Sequence, residues 1–373
     1  MRLLDRYLLR ELLVPLGYCL SGFVVFWIFF DSFYALNSFQ SKKLRFGDIA
    51  EYYLVTLPEV LVLILPIALL LALLYTLTNH ARHNEITAIR AAGISLWRLC
   101  LPYLAVGFLA SIGLFALNEL VVPDGNAAAE EILTRRTPRP AGTPGPNWVR
   151  NLAFKNARDE RTWKIGLYNI ETGEMKNPLV IWKLSDGSTR WLAAERGVRR
   201  RGVWTFYHVS EYADSPGADS SLVPILQTNV LAMPSFSETP AQIKSEIKLA
   251  SNTLRSSKKA DIPLVEIRNY LRFHPTPLPS DRAWLFTMLH GRLAAPWTCV
   301  VVVLVAIPFG AASGRRNVFV GVASSLVICF GFYVVQQFGL AAGSAGWVAP
   351  WFGAWVPNLS FAAVGLLLTA RVR

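Results

Sequence analysis

Three small groups of polar residues in an otherwise greasy chain limit the chemistry open to it. Lys42, Lys43 and Arg45 form a compact cationic cluster just after a long apolar run. Such a cluster can pair with the phosphates of an anionic lipid; equally, its members can act as cations snorkelling to headgroups. His80, His83 and Glu85 lie close together. A metal site is conceivable there, but solvated loop histidines are the plainer expectation. Asp31, Glu59 and Glu119 are scattered acids within or beside apolar runs. All three are expected near helix ends. A proton-driven carrier would place a carboxylate deep in its helices, so a self-powered transporter is disfavoured.

The sequence also lacks an engine. The dipeptide Gly-Lys never occurs, so no phosphate-cradling P-loop exists. Neither the zinc-protease pattern H-E-x-x-H nor the hydrolase elbow G-x-S-x-G occurs. No catalytic residue, resident metal or cofactor is therefore expected. Cys19, Cys100, Cys299 and Cys329 each sit in an apolar stretch without a CxxC pair, which suits packing rather than metal or disulfide chemistry. The net charge of +12 is shared between the ends and the middle of the chain, so nucleic acid is a poor partner.

These groups hang on long apolar elements. Of 373 residues, 53% are hydrophobic and 17% charged, against about 25% charged in soluble chains. A helix needs about 20 apolar residues to cross a bilayer. Six stretches qualify, near 12–36, 53–78, 99–117, 293–309, 318–340 and 348–370. The first is too long for a signal peptide and no A-x-A site follows it, so it is expected to be retained. Arg2, Arg6, Arg10, Arg82, Arg90, Arg98, Arg315, Arg316, Arg371 and Arg373 fall on one side of this pattern. Only Lys42, Lys43 and Arg45, with Arg292 at the margin, fall on the other. The positive-inside bias then predicts cytoplasmic termini.

The sequence thus divides into 1–122, with helices 1–3; 123–283, exported; and 284–373, with helices 4–6. In the middle part, residues 124–131 read as helical. Pro138, Pro140, Pro144 and Pro146 mark a linker. Short β-like runs follow near 148–155, 163–169, 178–184, 189–195, 203–209 and 223–232, with turn signals that include Asp186–Gly187. They predict an antiparallel sandwich or jelly roll, which could add strands edge to edge or hold an apolar ligand. The stretch 239–272 reads as helical or mixed. The inner segment 79–98 is too polar to span. From Asn84, a candidate cap, it has helical periodicity in Ile86, Ile89 and Ile94, and Gly93 suits a left-handed stop. Such a short helix can dock a cytosolic partner or lie in the interface.

Several stretches together resemble the YjgP/YjgQ (LptF/LptG) permease family. They are Leu4-Asp5-Arg6-Tyr7-Leu8, Leu57-Pro58-Glu59, the inner run from Asn84 to Ser95, and Asn118-Glu119-Leu120-Val121-Val122-Pro123. Ala306-Ile307-Pro308-Phe309-Gly310 and Trp355-Val356-Pro357-Asn358 extend the match towards the C-terminus. The resemblance implies a polytopic α-helical inner-membrane protein with six transmembrane helices. A periplasmic jelly-roll-like domain would lie between helices 3 and 4. It implies a permease that pairs with a second permease of the family, itself or a paralogue, and is driven by a cytosolic ABC ATPase dimer carrying ATP and Mg. Its cargo would be lipopolysaccharide, passed to a periplasmic bridge or accessory jelly-roll protein. Helix 84–93 would be the coupling helix, with Glu85, Arg90 and Gly93 at the ATPase contact. The first and fifth helices would form a lateral gate near Asp31 and Gln336. Lys42, Lys43 and Arg45 would meet lipid phosphates. Two other readings stay open: a scaffold or sensor whose outer domain binds an envelope partner, or a permease for another lipid or lipoprotein.

Overall fold

A computed structural model describes residues 3–136, 145, 147–156, 158–184, 188–214, 224–250, 263–273, 279–311 and 318–371. Arg2, Pro138, Pro140, Pro144, Pro146, the Asp186–Gly187 turn, Arg315, Arg316 and Arg373 lie outside the described residues. The helices are α1 (Leu3–Ser41), α2 (Phe46–Arg82), α3 (Glu85–Ala91), α4 (Leu96–Ala116) and α5 (Val122–Thr134). Six strands follow, β1 (Trp148–Asn156), β2 (Arg161–Asn169), β3 (Met175–Lys183), β4 (Thr189–Arg200), β5 (Val203–Asp214) and β6 (Pro224–Met233). Then come α6 (Pro240–Ala250), α7 (Leu264–Phe273), α8 (Pro279–Ala294), α9 (Thr298–Ala311), α10 (Val318–Ser344) and α11 (Pro350–Arg371). Two compact units result, Met1–Thr137 with Pro279–Arg373, and Pro138–Leu278. Residues 123–137, grouped by sequence with the middle domain, fall in the helical unit. There Arg135 and Arg136 bind Glu51 and Asp48 of α2.

Among the described residues, six helical stretches are long and apolar enough to cross a membrane. The second and fourth helices run past the ends that hydropathy suggested, to Arg82 and back to Pro279. Polar residues extend them because they find partners. His80 bonds Glu85, and Arg292 bonds Glu119 at 3.3 Å. At the centre of the unit sits α9, whose Cys299, Val303, Ala306 and Ile307 are fully buried. Its neighbours approach closely through glycine. A Cβ on Gly107 of α4 would lie 2.6 Å from Val303 Cγ2, and one on Gly365 of α11 would lie 2.7 Å from the Leu304 carbonyl oxygen. The buried Asn358 of α11 donates to the Ala294 carbonyl at 2.7 Å, where the chain tightens into a 3-10 turn, Ala295–Trp297.

Between α4 and α5 the chain widens into a π-helical turn, Leu117–Val121. Pro123 explains it. The ring has no N–H to offer and would crowd the carbonyl one turn back. The wider turn lets the Val122 N–H reach the Leu117 oxygen instead.

The second unit carries one six-stranded antiparallel sheet in the order β1-β2-β3-β4-β5-β6. Its connectivity is a meander, so the jelly-roll-like shape comes from curling rather than from crossovers. Trp163 of β2 and Trp204 of β5 lie three strands apart, about 14 Å on a flat sheet. Their rings are 5.9 Å apart, so the sheet folds around them. Phe236, after β6, plugs the curl edge-on to Trp163 at 5.5 Å and to Trp182 at 5.6 Å. Each such fully buried aromatic contributes roughly 1.5–3 kcal/mol relative to exposure.

A transverse crease crosses all six strands. Asn151, Gly166, Asn177, Glu195, His208 and Asn229 face one another from strand to strand, between regular pairs on either side. Asn151, Asn177 and His208 have φ near +50°. The inward alternation skips a residue here. Trp163 and Ile165 point in, then Tyr168; Trp204 and Phe206 point in, then Val209. Without the skip, one half of each strand would turn its apolar set outward. The strand starts match the sequence reading to within three residues, but the crease was not foreseen.

Candidate functional site

At one end of the α1–α2 hairpin lies the short α3. Asn84 precedes it in a left-handed conformation, φ 61°, with no side-chain capping bond. The expected Asn84 cap is therefore replaced by a backbone turn. Gly93 is left-handed as expected, φ 84°. Arg90 is exposed, while Ile86 is buried against the unit. Glu85 is only partly exposed, because its Oε2 accepts from the Tyr7 hydroxyl at 3.0 Å and sits 2.6 Å from His80 Nδ1. His80 is no solvated loop residue. It closes the last turns of α2 and is 2% exposed. A carboxylate accepts, so Nδ1 carries the hydrogen, and the buried Nε2 has no partner. Leaving such a nitrogen unpaired costs about 1–3 kcal/mol. His83 is exposed and its Nδ1 meets the Asn79 carbonyl. No cluster of metal ligands occurs among the described residues.

Two further ties surround this site. Arg98 of α4 pairs with Asp5 at 3.0 Å, and the Thr76 hydroxyl donates to the Glu11 carbonyl at 3.0 Å. Sequence reading missed Tyr7, His80 and Asp5 as a group. The signal available was a buriable polar trio at the ends of two apolar helices.

At the opposite end of the hairpin, Lys42, Lys43 and Arg45 occupy the α1–α2 turn, where Lys43 has φ 52°. Lys43 and Arg45 are exposed, and Lys42 is partly exposed. The nearby acids are already engaged. Asp48 accepts from Arg136 Nε at 2.5 Å and from the Arg45 backbone N–H at 2.9 Å, and Glu51 forms a fork with Arg135. The carboxylates beside it hold the Arg135 guanidinium even more firmly charged, led by its Glu51 bonds. Among the described residues none of the three turn cations forms an ion pair.

Asp31 turns toward α2, accepting from the Tyr53 hydroxyl at 3.1 Å, and Tyr53 also meets Ser32 at 2.8 Å. No hydrogen bond among the described residues joins Asp31 to Gln336, which is partly buried on α10. Beyond its root, one flank of α1 is bare, while Leu20, Phe23 and Trp27 on the other pack on the core. Phe33 is 76% and Tyr34 86% exposed. On α10, Val327, Phe330 and Phe338 are exposed in the same way. Two exposed apolar helix flanks on one unit offer a surface for acyl chains or for another helix pair.

In the sheet unit a polar knot fastens the segment after β6. Arg161 donates to Glu238 Oε1 and to the Ser235 carbonyl, both at 2.9 Å, and it also pairs with Asp159. The Trp204 indole and Arg199 both donate to the Glu238 carbonyl. Burial pushes the Asp159 carboxyl up, but the Ser237 hydroxyl and the Arg161 charge outweigh it and leave it below the usual range. Burial pushes the Tyr168 hydroxyl up to about 12. The sheet edges are β1 and β6, and β6 exposes Ile225, Leu226 and Val230.

A family model described as "Lipopolysaccharide export system permease LptF/LptG" matches residues 6–371, nearly the whole chain. No curated protein matches it.

Proposed function

The chain belongs to the LptF/LptG family of lipopolysaccharide export permeases, and from that premise we propose how it works. It is the membrane half of an exporter that draws lipopolysaccharide out of the inner membrane. A cytosolic ATPase dimer, carrying ATP and Mg, supplies the work through α3, with Glu85, Arg90 and Gly93 at the contact. A second permease of the family completes the assembly. The termini are cytoplasmic and the sheet unit is periplasmic, where the edge strand β6 offers pairing to a bridge of similar fold. This chain holds no nucleotide itself.

One observation carries the reading. The apolar flanks of α1 and α10 stand exposed on the unit whose turn cations, Lys42, Lys43 and Arg45, have no carboxylate partner among the described residues. An amphiphile with acyl chains and phosphates fits that combination. Removing each CH₂ from apolar surroundings costs about 0.8 kcal/mol, so extraction needs a receiving apolar surface and an external stroke.

The test uses the assembled exporter in vesicles with lipopolysaccharide and ATP. Photocrosslinkers at Asp31 and at Gln336 are expected to capture the lipid. The Lys42→Glu, Lys43→Glu pair is expected to reduce that capture at least fivefold, and Glu85→Arg to abolish ATP-dependent release. Equal crosslinking in both backgrounds would remove the phosphate role, and unchanged release from Glu85→Arg would remove the coupling role.

A further inference from the structure

Movement of α3 has a defined route into the rest of the helical unit. Both bonds to Glu85 converge on Oε2, one from Tyr7 in the first turns of α1 and one from His80 in the last turn of α2. Among the described residues no partner takes Oε1. The same carboxylate can therefore face outward with one oxygen while the other holds two helices. Tyr7 and His80 also pack on each other, ring centroids 5.8 Å apart. The root of α1 is gripped from several sides, by Glu85 of α3, by Arg98 of α4 on Asp5, and by Thr76 of α2 on Glu11. Leu8 and Leu12 are sealed in the core there, whereas Tyr18, Phe26, Phe29 and Phe33 farther along are exposed. A 39-residue helix is about 58 Å long. Held at the root, packed on α2 along one flank and exposed along the other, α1 is built to carry a displacement from one end to the other.

We infer that Tyr7 and His80 are positioning residues that pass the movement of α3 through Glu85 to the root of α1. Glu85 is thus a two-sided bridge, with Oε1 toward a cationic group of the cytosolic partner and Oε2 toward α1 and α2. The inference rests on the permease reading above for its functional consequence, but the tether itself is a property of this chain alone. A buried histidine with one ring nitrogen unpartnered is an expensive way to pack a helix end, and apolar residues would pack it better. Its presence there fits a side chain that serves for the bond it makes.

Two measurements separate the tether from the permease reading. In the assembled exporter, Tyr7→Phe and His80→Leu are expected to leave assembly intact and ATP hydrolysis within about twofold. The lipopolysaccharide released per ATP should fall about fivefold, the size of one lost hydrogen bond. His80→Asn, whose amide nitrogen can stand in for Nδ1, should restore most of the yield. A merely structural role would lower assembly and hydrolysis together, and an unchanged yield per ATP would overturn the inference. In the full chain alone, cysteine-free except for spin labels at Arg10 and Thr87, both exposed, Tyr7→Phe and His80→Leu should broaden the α1–α3 distance distribution. An unchanged distribution rejects the tether. A broadened one, in an exporter that releases no lipid even with the wild-type chain, keeps the tether and rejects the permease reading.

Discussion

Asp159 shows how a single side chain can set the conditions under which one unit holds together. Its carboxylate accepts from the Ser237 hydroxyl at 2.7 Å and pairs with Arg161, which in turn holds Glu238 and the segment carrying the Phe236 plug. Because its folded pKa lies below the ordinary value, its contribution is fully present above about pH 4, the unfolded value. That contribution is lost as pH falls through the lower, folded value. Hydrogen exchange on the full chain should therefore show β2 and residues 234–239 opening on acidification, at a pH below the unfolded carboxylate range. Asp159→Asn should open the same amides already at neutral pH, and further acidification should change them less than in the parent chain. An acid response identical in the two proteins would exclude Asp159 as its source.

At the scale of the element, the crease in the sheet accounts for strands whose apolar residues follow no single alternation. A left-handed residue suits asparagine, whose short polar side chain tolerates positive φ, and strains a β-branched one by about 1–2 kcal/mol. Asn177 faces Gly166, where a Cβ would already lie 3.3 Å from the Asn177 Cβ. Asn177→Val should destabilise the sheet unit by about 1–2 kcal/mol, while Asn177→Gly should be close to neutral. Thermal unfolding followed at β3 amides checks this; equal losses in both variants would show that φ is not what Asn177 supplies. The same feature marks the limit of the sequence reading. The positions of β1 to β6 were legible because turn residues separate them and aromatic residues fill them. The phase change inside them was not, because a lone Asn or His in a strand looks like a weak strand residue until its neighbours are aligned beside it. Likewise hydropathy ends α2 at Thr78, since it cannot see that His80 is buried against Glu85 and Tyr7. Asp48 with Arg136 and Glu119 with Arg292 are partners far apart in sequence, and nothing local announces such pairs. What was legible at the site was local in kind: the cationic turn, the short amphipathic α3 with Gly93 to end it, and the missing P-loop.

For the whole molecule the decisive quantity is sidedness. The proposed work cycle needs α3 and the sheet unit on opposite faces of the bilayer, because one receives force from a cytosolic ATPase and the other hands lipid to a periplasmic partner. The charge pattern argues for it. Arg6, Arg10, Arg82, Arg90 and Arg98 cluster at the α3 end of the hairpin, and moving them across would oppose the positive-inside bias. The long sheet unit carries many arginines too, but long domains cross regardless of charge. Single cysteines at Glu171 and Thr87, both exposed, read the arrangement directly in a chain without its native cysteines. In cells with a permeabilised outer membrane and an intact inner membrane, an impermeant maleimide should label Glu171→Cys and spare Thr87→Cys. Inside-out inner-membrane vesicles should give the reverse. Labelling of both from one side would place α3 and the sheet on the same face. The stroke and the lipid path could then no longer be joined through this chain, however well each end is built.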